Sequence, residues 1–322
     1  MDNSKLETLN HEQYINNKWI IANRGKKNAV DWLKPYAWLV EKERTTKGTI
    51  EDTAIIFLTN KECPFHCLMC DLWKNTADKP VPSGAIPAQI EWALAQMPPA
   101  KHLKLYNSGS FFDEKAIPEN DYKRIAELVQ NFETVIVESH AKLIDEKCLS
   151  FKNLLKPELH VAIGLETVHP EILPRLNKQM SLNDFSKAVQ FLAKNGIQSR
   201  AFILLRPPFM SEEDGIYWAK KSIDFAFDAG VECCIVIPVR AGNGAMDVLM
   251  KNGDFNLPKI ESLEIVLEYG IKLNRGRIFA DTWDLGIFSK CEKCIEQRKD
   301  RLISMNLNQR IDEGVICICK AV

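Results

Sequence analysis

The sequence has no apolar run near the roughly 18 residues needed to cross a bilayer. Its opening, "MDNSKLETLNHEQY", lacks the apolar core of an export signal. Neither a membrane span nor secretion is expected, and the expected compartment is the reducing cytoplasm. An excess of one charge is also missing. Lys and Arg number 42 against 43 Asp and Glu, for a net charge of −1. Nothing global therefore draws the chain to a polyanion, and any such contact would need a local basic patch. Histidine is scarce, at 6 residues, and none is spaced as in an H-x3-H metal site. There is no low-complexity tract and no fixed-period repeat, which excludes a solenoid. Cysteine, in contrast, is plentiful: the chain has 10. Without an export signal these thiols point to metal ligands and buried core residues rather than to disulfides.

With 46% hydrophobic and 26% charged residues over 322 positions, the chain can bury a large core. In residues 1–51, Val30, Leu33, Ala37 and Val40 fall near helical spacing, broken by Pro35. This predicts an N-terminal helical segment. From about residue 52 short β-branched runs alternate with amphipathic stretches of helical period. The runs are Ala54–Leu58, Leu103–Asn107, Thr134–Glu138, Leu159–Gly164, Gln198–Leu205, Val231–Pro238 and Arg277–Asp281. Between them "PAQIEWALAQM", "DYKRIAELVQNF", "LNDFSKAVQFLAKNG", "EDGIYWAKKSIDFAFDAG" and "PKIESLEIVLEYGIKL" read as helices. Ser181 with Asp184 resembles a capping box, and Gly196 and Gly230 stand at helix ends. Such alternation predicts parallel strands joined by right-handed crossovers. A partial or full (β/α) barrel over 52–285 fits the six or seven units; a doubly wound open sheet is the competitor. In either fold, functional groups gather at the C-terminal strand ends. From residue 286 the rhythm stops, leaving a Cys-rich extension, 286–322.

The first strand runs into "NKECPFHCLMCDLW", residues 60–73, which places Cys63, Cys67 and Cys70 at C-x3-C-x2-C spacing. Three thiols are too many for one disulfide and one short of a closed tetrahedral zinc site. On a cubane cluster they would leave one of four irons open. A zinc or redox-thiol site is the competing reading of the same three residues. His66, inside the loop, reads as a neighbour rather than a ligand if one iron is to stay open.

This loop, after a strand at the head of a parallel barrel, resembles the radical S-adenosylmethionine (radical SAM) superfamily, and the resemblance spans roughly residues 52–285. It implies a [4Fe-4S] cluster on Cys63, Cys67 and Cys70 with S-adenosylmethionine chelated at the open iron. It also implies reductive cleavage to a 5′-deoxyadenosyl radical and an electron donor such as flavodoxin or ferredoxin. Met69 stands where the family places an apolar side chain against adenine. Ser108, Gly109 and Ser110 stand where a glycine-rich turn receives the SAM amino group. The acidic residue usual there is missing, unless Asp113 substitutes. The passages "ESH" (Glu138, Ser139, His140) and "AIGLETVHPEILPRLNKQMS" resemble the branch of the Elongator radical-SAM subunit, the methylthiotransferases and the archaeosine-forming enzymes. On that likeness Glu138 and Ser139 line the SAM site and Glu166 faces the SAM ribose or the substrate. Lys178 pairs with the SAM carboxylate, from a position expected to be exposed. His140 is a weak catalytic candidate. "LLRPPF" and "IPVRAGNGAMDVL" resemble the same branch, with Arg206 and Arg240 directed at the barrel mouth, where each either holds an anionic substrate group or pairs with a carboxylate.

In the extension, Cys291-x2-Cys294 and Cys317-x-Cys319 offer four thiolates, enough for structural zinc or a second iron–sulfur cluster. Cys233, Cys234 and Cys148 read as core thiols. The resulting expectation is a radical SAM enzyme that abstracts hydrogen from a modified tRNA base or a small molecule. The alternative is a non-catalytic iron–sulfur or zinc redox sensor or assembly protein.

Overall fold

All seven apolar runs become strands, because each is long enough to span one layer and too short and too β-branched to hold a helix. The computed structural model describes residues 15–317. One eight-stranded sheet runs in chain order. It comprises β1 (Ala37–Arg44), β2 (Ile50–Phe57), β3 (His102–Tyr106), β4 (Thr134–Ser139), β5 (Glu158–Glu166), β6 (Gln198–Leu205), β7 (Cys233–Pro238) and β8 (Arg277–Ala280). β1 pairs antiparallel with β2, and every later pair of neighbours is parallel. β1 and β8 are the two edges, so the sheet forms a partial (β/α) barrel.

Helices fill the crossovers. A short α1 (Asn17–Ala22) precedes the sheet; then come α2 (Ala85–Leu94), α3 (Tyr122–Val129), α4 (Glu146–Leu154), α5 (Ile172–Arg175), α6 (Leu182–Lys194), α7 (Glu212–Ala229), α8 (Ala245–Asn252), α9 (Ile260–Leu273) and, after β8, α10 (Ile295–Asn308). α6 shows the local logic. Ser181 and Asp184 form the reciprocal capping box, and Phe185, Ala188, Val189 and Leu192 bury one face at helical spacing. α7 stops at Gly230, whose φ of 100° suits glycine.

The main core lies between sheet and helices, where Ile56, Leu105, Val137, Val161 and Ile203 are fully buried. The opposite, concave face is filled in layers. Tyr106 of β3 meets Phe202 of β6 at 6.3 Å, a contact between non-neighbouring strands that only a curled sheet permits. Deeper, Lys104 (β3), Glu43 (β1) and Arg200 (β6) meet the same way, at 2.5 Å and 2.7 Å. A second, smaller core of Ile20, Leu68, Leu176, Leu204, Val239 and Met246 seals the C-terminal end of the strands.

Two expectations need correction. Within 1–51 the described residues hold a helix only at α1, and Ala37–Arg44 is a strand. Pro35 excludes a helix across 30–40, and beyond it the chain alternates with period two. Trp38 and Val40 pack on the main core, while Glu41 and Glu43 reach Lys104 on the concave side. The sheet therefore begins before residue 52. The extension after 286 is also more regular than expected, since it contains α10. Asn306 and Gln309 each donate to and accept from the exposed edge of β8, at Ala280 and Ile278 (2.7–2.8 Å).

Candidate active site

The loop between β2 and α2 carries Cys63, Cys67 and Cys70 at the C-terminal end of the parallel strands, and all three are half-buried. Its backbone is tied down from several sides. Leu68 N–H donates to the Leu176 carbonyl (2.9 Å). Asn243 Nδ2 donates to the carbonyls of Leu68 (2.8 Å) and Cys70 (3.0 Å), and Asn177 Nδ2 to that of His66 (2.6 Å). Arg24 pairs with Glu62 (2.5 Å) and lies over Trp73, so the segment before β1 braces the loop from outside.

Phe65 stacks on His140, with ring centroids 3.7 Å apart and planes 10° apart. The His140 ring has both nitrogens engaged. Lys142 N–H donates to Nδ1 (3.2 Å), which assigns the proton to Nε2, and Nε2 donates to the Lys178 carbonyl (2.9 Å). Burial, with the Lys178 charge nearby, lowers its pKa to about 4. His140 therefore holds the loop in position.

The end of β3 lies directly against the first cysteine. A Cβ on Gly109 would sit 3.2 Å from Cys63 Cβ, so any larger residue would push this strand end and the first cysteine apart by a few tenths of an ångström. Ser108 adopts φ 54° and its hydroxyl lies 3.2 Å from the Tyr36 hydroxyl. Ser110 Oγ accepts from His140 N–H (2.9 Å), and Ser139 Oγ donates to the His140 carbonyl (3.3 Å). The carboxylate beneath the turn is Glu138, which accepts from Asn107 N–H (2.8 Å). Burial pushes it up to about 7 despite pull from the Asn107, Gly109 and Ser108 amides. Asp113, the substitute considered from sequence, instead accepts from Lys115 N–H in a local turn. Among the described residues both side-chain polar atoms of Asn107 are buried without a partner.

Lys178 is not the exposed cation the sequence suggested. It is 8% exposed, and Nζ lies 2.5 Å from Glu166 Oε1. Burial opposes its charge, but Glu166 and the nearby Cys67 and Cys63 raise its pKa. Glu166 itself has φ 67° at a register shift of β5. Gly164 makes room for the pair, since a Cβ there would fall 2.1 Å from Glu166 Oε1 and 2.3 Å from Lys178 Nζ.

Beside the loop is a cavity of about 560 Å³, lined among others by Met69, Leu204, Ile237, Val239, Arg240 and Asn243. Arg240 pairs with Asp281 (2.9 Å), and Arg206 with Glu212 (2.7 Å); both arginines serve neighbouring carboxylates. The site thus assembles Met69, Ser108, Gly109, Glu138, Glu166 and Lys178 around the three cysteines. Sequence reasoning missed Asn177, Asn243 and Gly164. All three lie in passages it had marked, but the bonds of the two asparagines to loop carbonyls, and the space Gly164 leaves for a side-chain pair, have no sequence signal.

The loop residues fit a multi-iron cluster. Burial raises the pKa of all three thiols, and Cys67 adds to the rise at both Cys63 and Cys70. Yet among the described residues the single group of three or more ligating side chains with its atoms within 4.8 Å of one another lies elsewhere, in the extension. Three half-buried thiols on one loop offer ligands to three of a cubane's four irons. The buried Asn107 amide and the Glu138 carboxylate beside Cys63 give polar partners for an amino-acid group at the open iron.

The fold and this loop resemble those of radical SAM proteins, and the comparisons support the branch of the Elongator radical-SAM subunit and the archaeosine-forming proteins. No family model matches the chain. An uncharacterized protein of Methanocaldococcus jannaschii is 24% identical over 324 residues, 92% of this chain and 88% of that one. Archaeosine synthase subunit beta of Methanosarcina acetivorans is 26% identical over 76% of this chain and 74% of its own length. The same subunit of Thermococcus kodakarensis is 32% identical over 127 residues, 38% of this chain and 39% of its own length. The solved structure of Methanocaldococcus infernus Elp3, with its N-terminus deleted, shares the fold at a TM-score of 0.50 and 18% identity. That match covers 69% of this chain and 58% of that one. No helix among the described residues is long and apolar enough to cross a membrane.

Proposed function

We propose that this chain is a radical SAM enzyme acting by hydrogen abstraction, with a modified base of tRNA as its substrate class. The observation that carries the reading is the contact of Gly109 with Cys63, which sets the glycine-rich turn and its buried carboxylate beside three loop cysteines. Bound there, a [4Fe-4S] cluster with S-adenosylmethionine at its open iron would supply reductive cleavage to methionine and a 5′-deoxyadenosyl radical.

The chain's own residues do the rest. Cys63, Cys67 and Cys70 hold the metal, and Asn243 and Asn177 fix the loop that carries them. Glu138, with the Asn107 amide, accepts from the methionyl ammonium. Lys178 has three donors; one serves Glu166, leaving the others for the methionyl carboxylate. Met69 and Val239 offer the adenine an apolar wall, and the second core beneath them keeps water from the reacting end. An electron donor of the flavodoxin or ferredoxin type would complete the cycle.

The substrate reading draws on the two relatives named archaeosine synthase subunit beta. It is supported by the aromatic layer inside the mouth, where Phe57 meets Tyr106 at 6.1 Å and Trp283 at 6.0 Å. Aromatic faces of this kind stack extruded bases. The test is anaerobic reconstitution and reduction with S-adenosylmethionine. Release of 5′-deoxyadenosine is expected, abolished when Cys63, Cys67 and Cys70 become Ala; its absence with the cluster intact would overturn the enzyme reading. Comparison of tRNA nucleosides from cells with and without the gene tests the substrate class.

A further inference from the structure

Beyond the barrel, three cysteines distant in sequence converge. Cys291, Cys294 and Cys317 place their sulfurs within 4.8 Å of one another. A tetrahedral zinc with Zn–S bonds of about 2.3 Å holds its sulfurs roughly 3.8 Å apart. Thiolates on a cubane bind different irons and so stand farther apart. Sulfur spacing therefore separates two metals that ligand softness does not.

We propose that Cys291, Cys294 and Cys317 hold a single structural zinc ion, distinct from the cluster at the barrel mouth; the sequence offers a fourth thiol in Cys319, which lies outside the described residues. The placement explains what such an ion would do. Cys294 stands at the start of α10, while Cys317 arrives nine residues past its end. The returning strand of chain lies along the helix, with Arg301 Nε donating to the Glu313 carbonyl (2.8 Å) and Nη2 to that of Asp312 (2.9 Å). α10 covers the open edge of β8, and the turn before Cys291 supplies Asp284, Gly286 and Ile287 to the cavity wall. An ion at this point ties the start of α10 to the chain that returns from its far end and fixes that wall, so metal binding becomes folding energy.

This inference does not depend on the radical SAM reading, and one experiment separates them. Full-length protein with Cys63, Cys67 and Cys70 all changed to Ala should retain one zinc per chain, carry no acid-labile sulfide and show no visible absorbance. Cobalt exchanged into it should give the absorption of a tetrahedral thiolate site. Adding Cys291→Ser and Cys317→Ser should abolish zinc retention and speed proteolysis after residue 286. Iron with sulfide remaining in the first variant would overturn the proposal in favour of a second cluster. Absence of stoichiometric metal there, or zinc and cobalt uptake unchanged by the added serines, would overturn it outright.

Discussion

Lys178 shows how much one residue's surroundings can change its meaning. As a letter before a helix it is an ordinary solvated lysine. In the fold it is buried against Glu166 at 2.5 Å, under a glycine that leaves space for both groups. Removing one member of a buried pair strands the other charge, at about 3–5 kcal/mol. Lys178→Ala is therefore expected to lower unfolding stability by that order, measured by chemical denaturation. It should also weaken S-adenosylmethionine binding about ten- to hundredfold by calorimetry, since a charge-assisted hydrogen bond is worth roughly 1.5–3 kcal/mol. Adding Glu166→Gln should recover much of the stability and none of the affinity. Affinity untouched in Lys178→Ala would remove this residue from the cofactor site. His140 teaches the same lesson in reverse. A histidine at a strand end looked catalytic, but its ring is a spacer between Phe65 and the Lys178 backbone.

At the scale of elements, the edge of β8 is an unusual closure. Among the described residues no strand pairs with it on its outer side; two amide side chains from α10 and its C-cap do the pairing instead. An open edge invites pairing with another chain. Asn306→Ala and Gln309→Ala together should remove the four hydrogen bonds to β8, each worth about 1 kcal/mol. The expected readout is faster hydrogen exchange at the Ile278 and Ala280 amides, with concentration-dependent association. Unchanged exchange there would mean that the edge is protected by packing alone. The seven parallel strands and five of the helices were legible in advance, since hydrophobic period and caps are local signals. β1 was misread because its inward positions are Glu41 and Glu43, charges where a strand's buried face should be apolar. Only the cations on β3 and β6 make that pattern intelligible.

Across the whole molecule, the concave side is divided by depth. A charged layer closes the base, an aromatic layer lies above it, and the cysteine loop caps the mouth. Glu43 joins the antiparallel edge strand to the middle of the sheet through Lys104 (2.5 Å) and Arg200 (2.7 Å). Burial alone would raise its carboxyl, but Arg200 and Lys104 override this and hold it far below the usual carboxylate range. Its folded pKa is depressed, so its stabilisation is full above the unfolded value of about 4.3. That stabilisation is lost as pH falls below it. Glu43→Gln should be less stable at pH 7 by about 3–5 kcal/mol, because buried cations lose their partner. The gap to the natural protein should narrow steadily between about pH 5 and pH 2 in denaturation curves. A gap independent of pH would show that Glu43 acts through packing and not through charge.

The sequence by itself determined the strand–helix alternation, the parallel α/β class, the three-cysteine loop at a strand end and the existence of a second thiol group. These follow from spacing along the chain, which is a one-dimensional property. Tertiary structure alone decided that Glu138 stands under the turn after β3, that Lys178 is buried with Glu166, and that Asn177 and Asn243 tie down the cysteine loop. It also brought Cys317 to Cys291 and Cys294. Each of these joins residues on different elements, and the sheet's curl sets their distances. No local pattern encodes that curl, because it arises only when all eight strands pack together.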